Sequence, residues 1–193
     1  MTTELRPWAL GDAPTLCAAY QEDADLHVQF GGADLSTLDL ARRHISKQLP
    51  FNEAFRNWAI SIGGVAVGNV GLSAIDRRHG TAWVFYWLAS AARGNGYASR
   101  ALATVADGAF EDGLFRLELG HRVNNPASCT VATRAGFIIE GLERQKLQYG
   151  SDRFDVETHA RLQTDPRRTW NPSRRPAERS FTETCSGLGE RPR

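Results

Sequence analysis

A glycine-containing turn at residues 93–98 has the residue types that could bind a phosphate. It follows the apolar run at residues 83–88 and opens a segment in which apolar residues recur at helical spacing. The first amides of a helix have no intrahelical partner, and the helix dipole adds partial positive charge there. Gly94 and Gly96 let the backbone approach an anion closely and tolerate a positive φ. The turn therefore predicts an anion site built from backbone amides.

Other interpretations of this turn lead to different functions. On the turn alone, a surface loop that only reverses the chain stays open. A Walker-type phosphate loop requires Gly-Lys followed by Ser or Thr, which is missing here. A Rossmann fingerprint fails because its third glycine position is Ser99 and no βαβ unit surrounds it. The pattern that remains is Arg/Gln-x-x-Gly-x-Gly/Ala, filled by Arg93, Gly96 and Ala98.

A second motif lies about thirty residues downstream, where NNPAS at 124–128 is followed by AGFIIEG at 135–141. Together the two motifs resemble the GCN5-related N-acetyltransferases (the GNAT superfamily). Their spacing, with the segment at 149–156, resembles the branch that acetylates the N-termini of ribosomal proteins (the Rim-type enzymes). The resemblance covers about residues 55–162.

The resemblance implies acetyl-CoA as co-substrate and a direct transfer of its acetyl group to an amine. Amides of the turn would hold the pyrophosphate, and the pantetheine arm would lie between two strands that splay apart. Asn125 corresponds to a family asparagine that bonds the pantetheine, although a role as helix cap alone stays open. The expected cofactor-binding residues are Leu88 in the first splayed strand, Arg93, Gly94, Asn95, Gly96, Tyr97 and Ala98 in the turn, and Asn125.

Two residues are expected to be catalytic. Ser128 matches a family serine near the cofactor sulfur, where its hydroxyl could donate to the departing thiolate; ordinary helix capping is the alternative. Glu118, on the second splayed strand, is the expected general base, acting directly or through water. A solvated position, or pairing with Arg116, is the alternative for Glu118, and His121 is a second candidate base.

The sequence defines the acceptor amine less clearly than it defines the cofactor. Residues 81–88 contain no carboxylate, and Leu147 stands where the Rim-type branch can have one. At pH 7 about one α-amine in ten is neutral, against fewer than about one lysine in a thousand. A site without a strong base therefore favours an N-terminal α-amine of a peptide or protein. A small amine such as an antibiotic or polyamine, or a non-catalytic acyl-CoA-binding module, stays open.

The periodicity predicts an α/β layered domain over residues 1–164, with a mostly antiparallel sheet and the element order β-α-α-β-β-β-α-β-α-β-β. The second helix is expected to start at Ser36 and to stop at Pro50. The loop between the first two helices, at residues 30–32, is expected to border the acceptor cleft. Residues 165–193 are rich in Arg, Pro, Ser and Gly and are expected to form a flexible basic tail.

The composition narrows the class of protein. The 193 residues include 23 basic and 22 acidic ones, and the tail holds seven Arg and four of the acidic residues. The rest of the chain is therefore slightly acidic. Nucleic-acid binding is not expected of such a domain. Three separated cysteines without a Cys-x-x-Cys motif suggest neither a disulfide framework nor a metal site. No apolar stretch could span a membrane, so the cytoplasm is the expected compartment. A homodimer stays open.

Overall fold

Seven strands form one sheet in the order β1-β2-β3-β4-β5-β7-β6 in the computed structural model, which describes residues 3–166. All neighbours are antiparallel except β4 and β5. The strands are β1 (Thr3–Pro7), β2 (Arg56–Ile62), β3 (Val65–Asp76), β4 (Thr81–Leu88), β5 (Arg116–Arg122), β6 (Ile138–Tyr149) and β7 (Asp152–Leu162).

Five helices within the described part of the chain cover the two faces of this sheet. Thr37 caps α3 by accepting a hydrogen bond from the amide of Leu40, and Asn125 caps α5 in the same way. The helices are α1 (Ala13–Glu22), α2 (Ala24–Gln29), α3 (Leu38–Gln48), α4 (Tyr97–Glu111) and α5 (Pro126–Arg134). None of them combines the length and the apolarity that crossing a bilayer requires.

A separate buried apolar cluster lies on each face of the sheet. One is formed by α4 and the strands beneath it, with Leu102, Val84 and Leu117 at its centre. The other joins α1, α2 and α3 to Trp87 of β4. Successive residues of a strand point to opposite faces. β4 therefore contributes to both clusters and is held from both sides.

The parallel contact between β4 and β5 is short. The paired residues run from Thr81 opposite Arg116 to Trp83 opposite Glu118, and the strands then separate. A Cβ atom on Gly120 would lie 3.2 Å from the indole of Trp83, so the ring packs directly over the glycine just beyond the last pair. The inner edges of both strands are left without a neighbouring strand over residues 84–88 and 119–122. The splayed pair implied by the family resemblance is present.

The predicted fold class is confirmed, with one difference in element order. Residues between α1 and α3 contain the short helix α2, which the sequence pattern does not predict. Six residues offer less than two turns of periodicity, and such a helix depends on tertiary packing, here through the buried Leu26. The helix expected to start at Ser36 begins at Leu38. The predicted tail lies almost wholly outside the described residues.

Gly68 provides a test of how tightly β3 packs against the end of β4. A Cβ atom there would lie 2.4 Å from the carbonyl oxygen of Trp87 and 3.1 Å from Cα of Leu88, so backbone atoms would have to move. Gly68→Ala should lower the free energy of unfolding by about 1–3 kcal/mol in urea titrations. Gly108→Ala is the matched control, because Gly108 is exposed within α4 and has open space around it. It should raise stability by about 0.5–1 kcal/mol.

Candidate active site

A cavity of about 410 Å³ opens where β4 and β5 separate. This is a normal size for a small-molecule site. One wall is the end of β4 with the loop and first turn of α4, and the other is the start of α5 with the residues before it. The lining residues are Gln29, Tyr86, Trp87, Leu88, Arg93, Gly94, Gly96, Tyr97, Ala98, Ser99, Arg122, Asn124, Asn125, Ala127, Ser128, Thr130, Val131 and Arg134.

The glycine loop has the left-handed backbone that the sequence predicted. Gly94 has φ 79° and Gly96 has φ 72°, and Gly96 is the N-cap residue of α4. No side chain caps this helix, and within the described residues no hydrogen bond uses the amides of Gly94 to Ala98. The start of a fifteen-residue helix therefore presents unpaired donors to the cavity, which suits an anion.

Arg93 is held by protein groups and also lines the cavity. Its guanidinium forms an ion pair with the buried carboxylate of Asp23, and its Nε donates to the carbonyl of Leu88 at 3.1 Å. Ser90 also donates to Asp23, at 2.9 Å. These bonds tie the glycine loop to the junction between α1 and α2. The geometry shows Arg93 as an anchor of the loop.

The other loop residues differ in how close they come to the cavity. Asn95 donates from its side chain to the carbonyl of Arg93 at 3.0 Å and is not among the lining residues. Tyr97 and Ala98 do line the cavity, and the guanidinium carbon of Arg100 lies 4.9 Å from the centre of the Tyr97 ring. Leu88 lies at the strand end, nine-tenths buried, on the cavity wall.

The opposite wall begins with the cap of α5. The side-chain oxygen of Asn125 accepts from the amide of Ser128 at 3.2 Å, so the capping role considered for Asn125 is present. Ser128 is half-buried on the cavity wall, and its side chain is a hydrogen-bonding neighbour of the Tyr86 hydroxyl. It lies where a ligand in the cavity could contact it.

Tyr86 connects the two walls across the gap. Its hydroxyl donates to the carbonyl of Ser128 at 3.1 Å. Burial raises the pKa of Tyr86 to about 12, so the phenol is neutral at physiological pH. Only the separation of β4 from β5 shows that it reaches α5, and no local pattern indicates this.

Glu118 is not brought to the cavity. It belongs to the last residue pair before the strands separate, and its carboxylate accepts from Nε of Arg116 at 2.7 Å. Arg116 also pairs with Glu140 of β6, and these two carboxylates raise the pKa of the guanidinium. The pairing of Glu118 with Arg116, considered above as an alternative, is therefore the arrangement present.

The charges on the cavity wall are all basic. Arg93, Arg122 and Arg134 are among the lining residues, and no Asp, Glu or His side chain from the described chain is. The guanidinium carbon of Arg122 lies over two neighbouring aromatic rings, 5.2 Å from the centre of each, and these rings belong to Tyr149 and Phe154. A cleft with low-dielectric walls that carry only positive charges attracts a polyanionic ligand. A strong carboxylate or imidazole base is missing from this wall.

Comparison with known proteins agrees with this geometry. A family model described as the acetyltransferase (GNAT) domain matches residues 3–138. The ribosomal-protein-serine acetyltransferase of Escherichia coli (strain K12) is 35% identical over 98 residues, which are 50% of this chain and 54% of that protein. The aligned segment thus spans about half of that relative.

Solved structures of other proteins have the same fold. RimJ of Mycobacterium smegmatis, in complex with CoA-disulfide, has a TM-score of 0.73 and 26% identity over 83% of this chain and 81% of that one. A spermidine N-acetyltransferase SpeG chimera from Vibrio cholerae and hSSAT has a TM-score of 0.71 and 22% identity over 84% and 96%, a likeness of fold alone. The family model covers more than half of the residues of this chain, and the chain has the splayed-strand cavity described above. This chain therefore belongs to the GNAT family of acetyltransferases.

Proposed function

We propose that this chain transfers the acetyl group of acetyl-CoA to the α-amine of a peptide or protein N-terminus. The observation that carries the proposal is the cavity wall, which combines unpaired helix amides and arginines with no carboxylate or imidazole base. The first two features suit the phosphates of the co-substrate. The third suits an amine that is partly neutral at physiological pH.

The pantetheine arm would lie in the gap between β4 and β5. The inner strand edges there have amides and carbonyls that no neighbouring strand pairs, and a bound amide chain could bond to them as a strand would. The pyrophosphate would lie against the amides of Gly94 to Ala98. Asn125 lines the opposite wall but uses its side-chain oxygen as the cap of α5, so its amide nitrogen is the group left for the cofactor.

The chemical step needs a neutral amine and a protonated leaving group. The amine nitrogen attacks the thioester carbonyl, a C–N bond forms, and the C–S bond breaks. Ser128 would donate its hydroxyl proton to the departing thiolate and recover one from solvent, while the proton lost by the amine also goes to solvent. Of the two catalytic residues expected from sequence, only Ser128 lies on the cavity, so we propose no catalytic role for Glu118.

A small polycationic amine is the second candidate acceptor, favoured only by the fold shared with the spermidine enzyme. The arginines of the cavity wall would repel such a substrate. A binding module without activity would use the same cofactor contacts and turn over no amine. An assay of acetyl transfer to each class of amine distinguishes these alternatives.

The amine class can be tested by the dependence of kcat/KM on pH. Two peptides that differ only in their acceptor amine are compared: one has a free α-amine and no lysine, and the other has a blocked N-terminus and a single lysine. For the α-amine peptide kcat/KM should rise with pH and level off near pH 8, the ordinary pKa of that group. At pH 7 it should exceed the value for the lysine peptide by roughly a hundredfold. Faster turnover of the lysine peptide or of a polyamine would reassign the acceptor.

Gly94→Ala tests whether the loop backbone holds the cofactor. Nothing lies within 4 Å of the added Cβ atom, so the cost is the left-handed φ of 79°, about 1–2 kcal/mol. Rearrangement of the loop should weaken acetyl-CoA binding about tenfold in calorimetry. Gly150→Ala is the matched control, because its φ of 60° and open surroundings impose the same strain in the β6–β7 turn. Equal loss of affinity in both variants would refute a role for the loop.

Ser128→Ala tests the proposed proton donor. Alanine is compatible with the first turn of α5, and the amide that Asn125 caps is retained. The kcat should fall about a hundredfold, the lower end for a general acid, while the Kd for acetyl-CoA changes less than about twofold. Ser46→Ala removes an exposed serine of α3 whose hydroxyl donates to the backbone carbonyl of Arg42, and it should leave both constants unchanged. An unaltered kcat in Ser128→Ala would exclude the donor role.

A further inference from the structure

A buried group of four ligand-type side chains lies beneath α5, apart from the cavity wall. His121 comes from β5, Cys129 from α5, and Glu157 and His159 from β7. One ligand atom from each lies within 4.8 Å of all the others, and all four residues are buried. His121 is directly opposite Glu157 in the sheet register, and Glu157 and His159 are two residues apart and so point to the same face.

The hydrogen bonds direct lone pairs to a common centre. Nδ1 of His121 lies 3.0 Å from the carbonyl of Arg122 and must be the N–H donor, because a carbonyl only accepts. In the neutral imidazole that a metal requires, Nε2 of His121 is then the bare acceptor, and it lies 2.9 Å from Nε2 of His159. The carboxylate of Glu157 lies 3.0 Å from that same His159 nitrogen and 3.3 Å from the His121 nitrogen. With both imidazoles neutral, one proton on Nε2 of His159 would serve both acceptors.

We propose that His121, Cys129, Glu157 and His159 bind one zinc-class divalent cation. Thiolate, imidazole nitrogen and carboxylate are the ligands that Zn²⁺ takes, usually four at the corners of a tetrahedron. With bonds of about 2.0–2.1 Å to nitrogen and oxygen, neighbouring ligand atoms in such a site are about 3.3 Å apart. The separations of 2.9, 3.0 and 3.3 Å are within a few tenths of an ångström of this value.

The charges of these ligands would balance the cation. The thiol of Cys129 loses its proton on binding, and with the ionised Glu157 it supplies two negative charges against two positive ones. A neutral complex avoids the cost of burying a net charge. His159 would keep one proton by moving it to Nδ1, which is buried and has no hydrogen-bond partner among residues 3–166. Each ion bound therefore releases one proton, from the thiol.

Such an ion would join three elements at the base of the active site. Cys129 follows Ser128 directly, and the carbonyl of Ser128 accepts from Tyr86. β5 and β7 are paired along their length, whereas α5 contacts them through side chains. A bond from the ion to Cys129 would fix the first turn of α5, and with it Asn125 and Ser128, against the sheet. This inference does not depend on which amine is acetylated.

The test is metal binding by the metal-free full chain with any affinity tag removed. Native mass spectrometry should find one Zn²⁺ per chain, thermal unfolding should shift upward, and about one proton should be released per ion. Co²⁺ should show the intense d–d bands of tetrahedral coordination together with thiolate-to-cobalt charge transfer. Cys129→Ser should abolish the charge-transfer band and weaken Zn²⁺ binding by about a hundredfold or more.

Cys17→Ser is the matched control, because Cys17 is also buried but lies in the cluster on the opposite face of the sheet. This variant, and Cys185→Ser for the thiol beyond the described residues, should keep the cobalt spectrum. The wild-type titration decides the question even if Cys129→Ser does not fold. Absence of stoichiometric Zn²⁺ binding, or a charge-transfer band that survives in Cys129→Ser, would show a hydrogen-bonded polar cluster and overturn the proposal.

Discussion

The pairing of β4 with β5 lasts for only three residues, from Thr81 and Arg116 to Trp83 and Glu118. Beyond it the indole of Trp83 packs over Gly120, and the strands follow different neighbours, β3 on one side and β7 on the other. A sheet that stayed paired would have no room between these strands and no unpaired backbone groups. Both the cavity and the main-chain donors that line it result from this interruption.

Much of the proposed cofactor site is backbone, and the side chains around it mainly position that backbone. Arg93 illustrates this, since its guanidinium ties the glycine loop to Asp23 and to the end of β4. Asn125 similarly sets the first turn of α5, which holds Ser128 on the cavity wall. Because fixed donors need little reorganisation when an anion arrives, they are more effective than flexible side chains.

The two faces of β5 have different roles around the gap. Arg122 points to the cavity, whereas His121 points under α5 toward Glu157 and His159. The proposed proton donor and the buried polar cluster are linked through α5, because Ser128 and Cys129 are adjacent in sequence. A change in the cluster would reach the site through the position of α5.

The fold class and the glycine loop could be predicted from sequence because each depends on local signals. Alternating apolar residues mark strands, and Gly94 and Gly96 mark a turn that requires positive φ. Ser128 and Asn125, which lie on the cavity wall, belong to one contiguous motif, so sequence alone could single them out. The short helix α2 was not predicted, because six residues give too little periodicity and Leu26 is stabilised by contacts with distant segments.

Tertiary structure alone decided where the charged and polar side chains go. Glu118 has the right chemistry for a base, but it belongs to the last paired position of β4 and β5. There its carboxylate binds Arg116 and does not line the cavity. Tyr86 reaches α5 only because the strands separate. His121, Cys129, Glu157 and His159 are spread over 39 residues without a metal motif, and the β5–β7 register and the packing of α5 bring them together. Sequence spacing reports neighbours along one element, whereas these contacts join three elements.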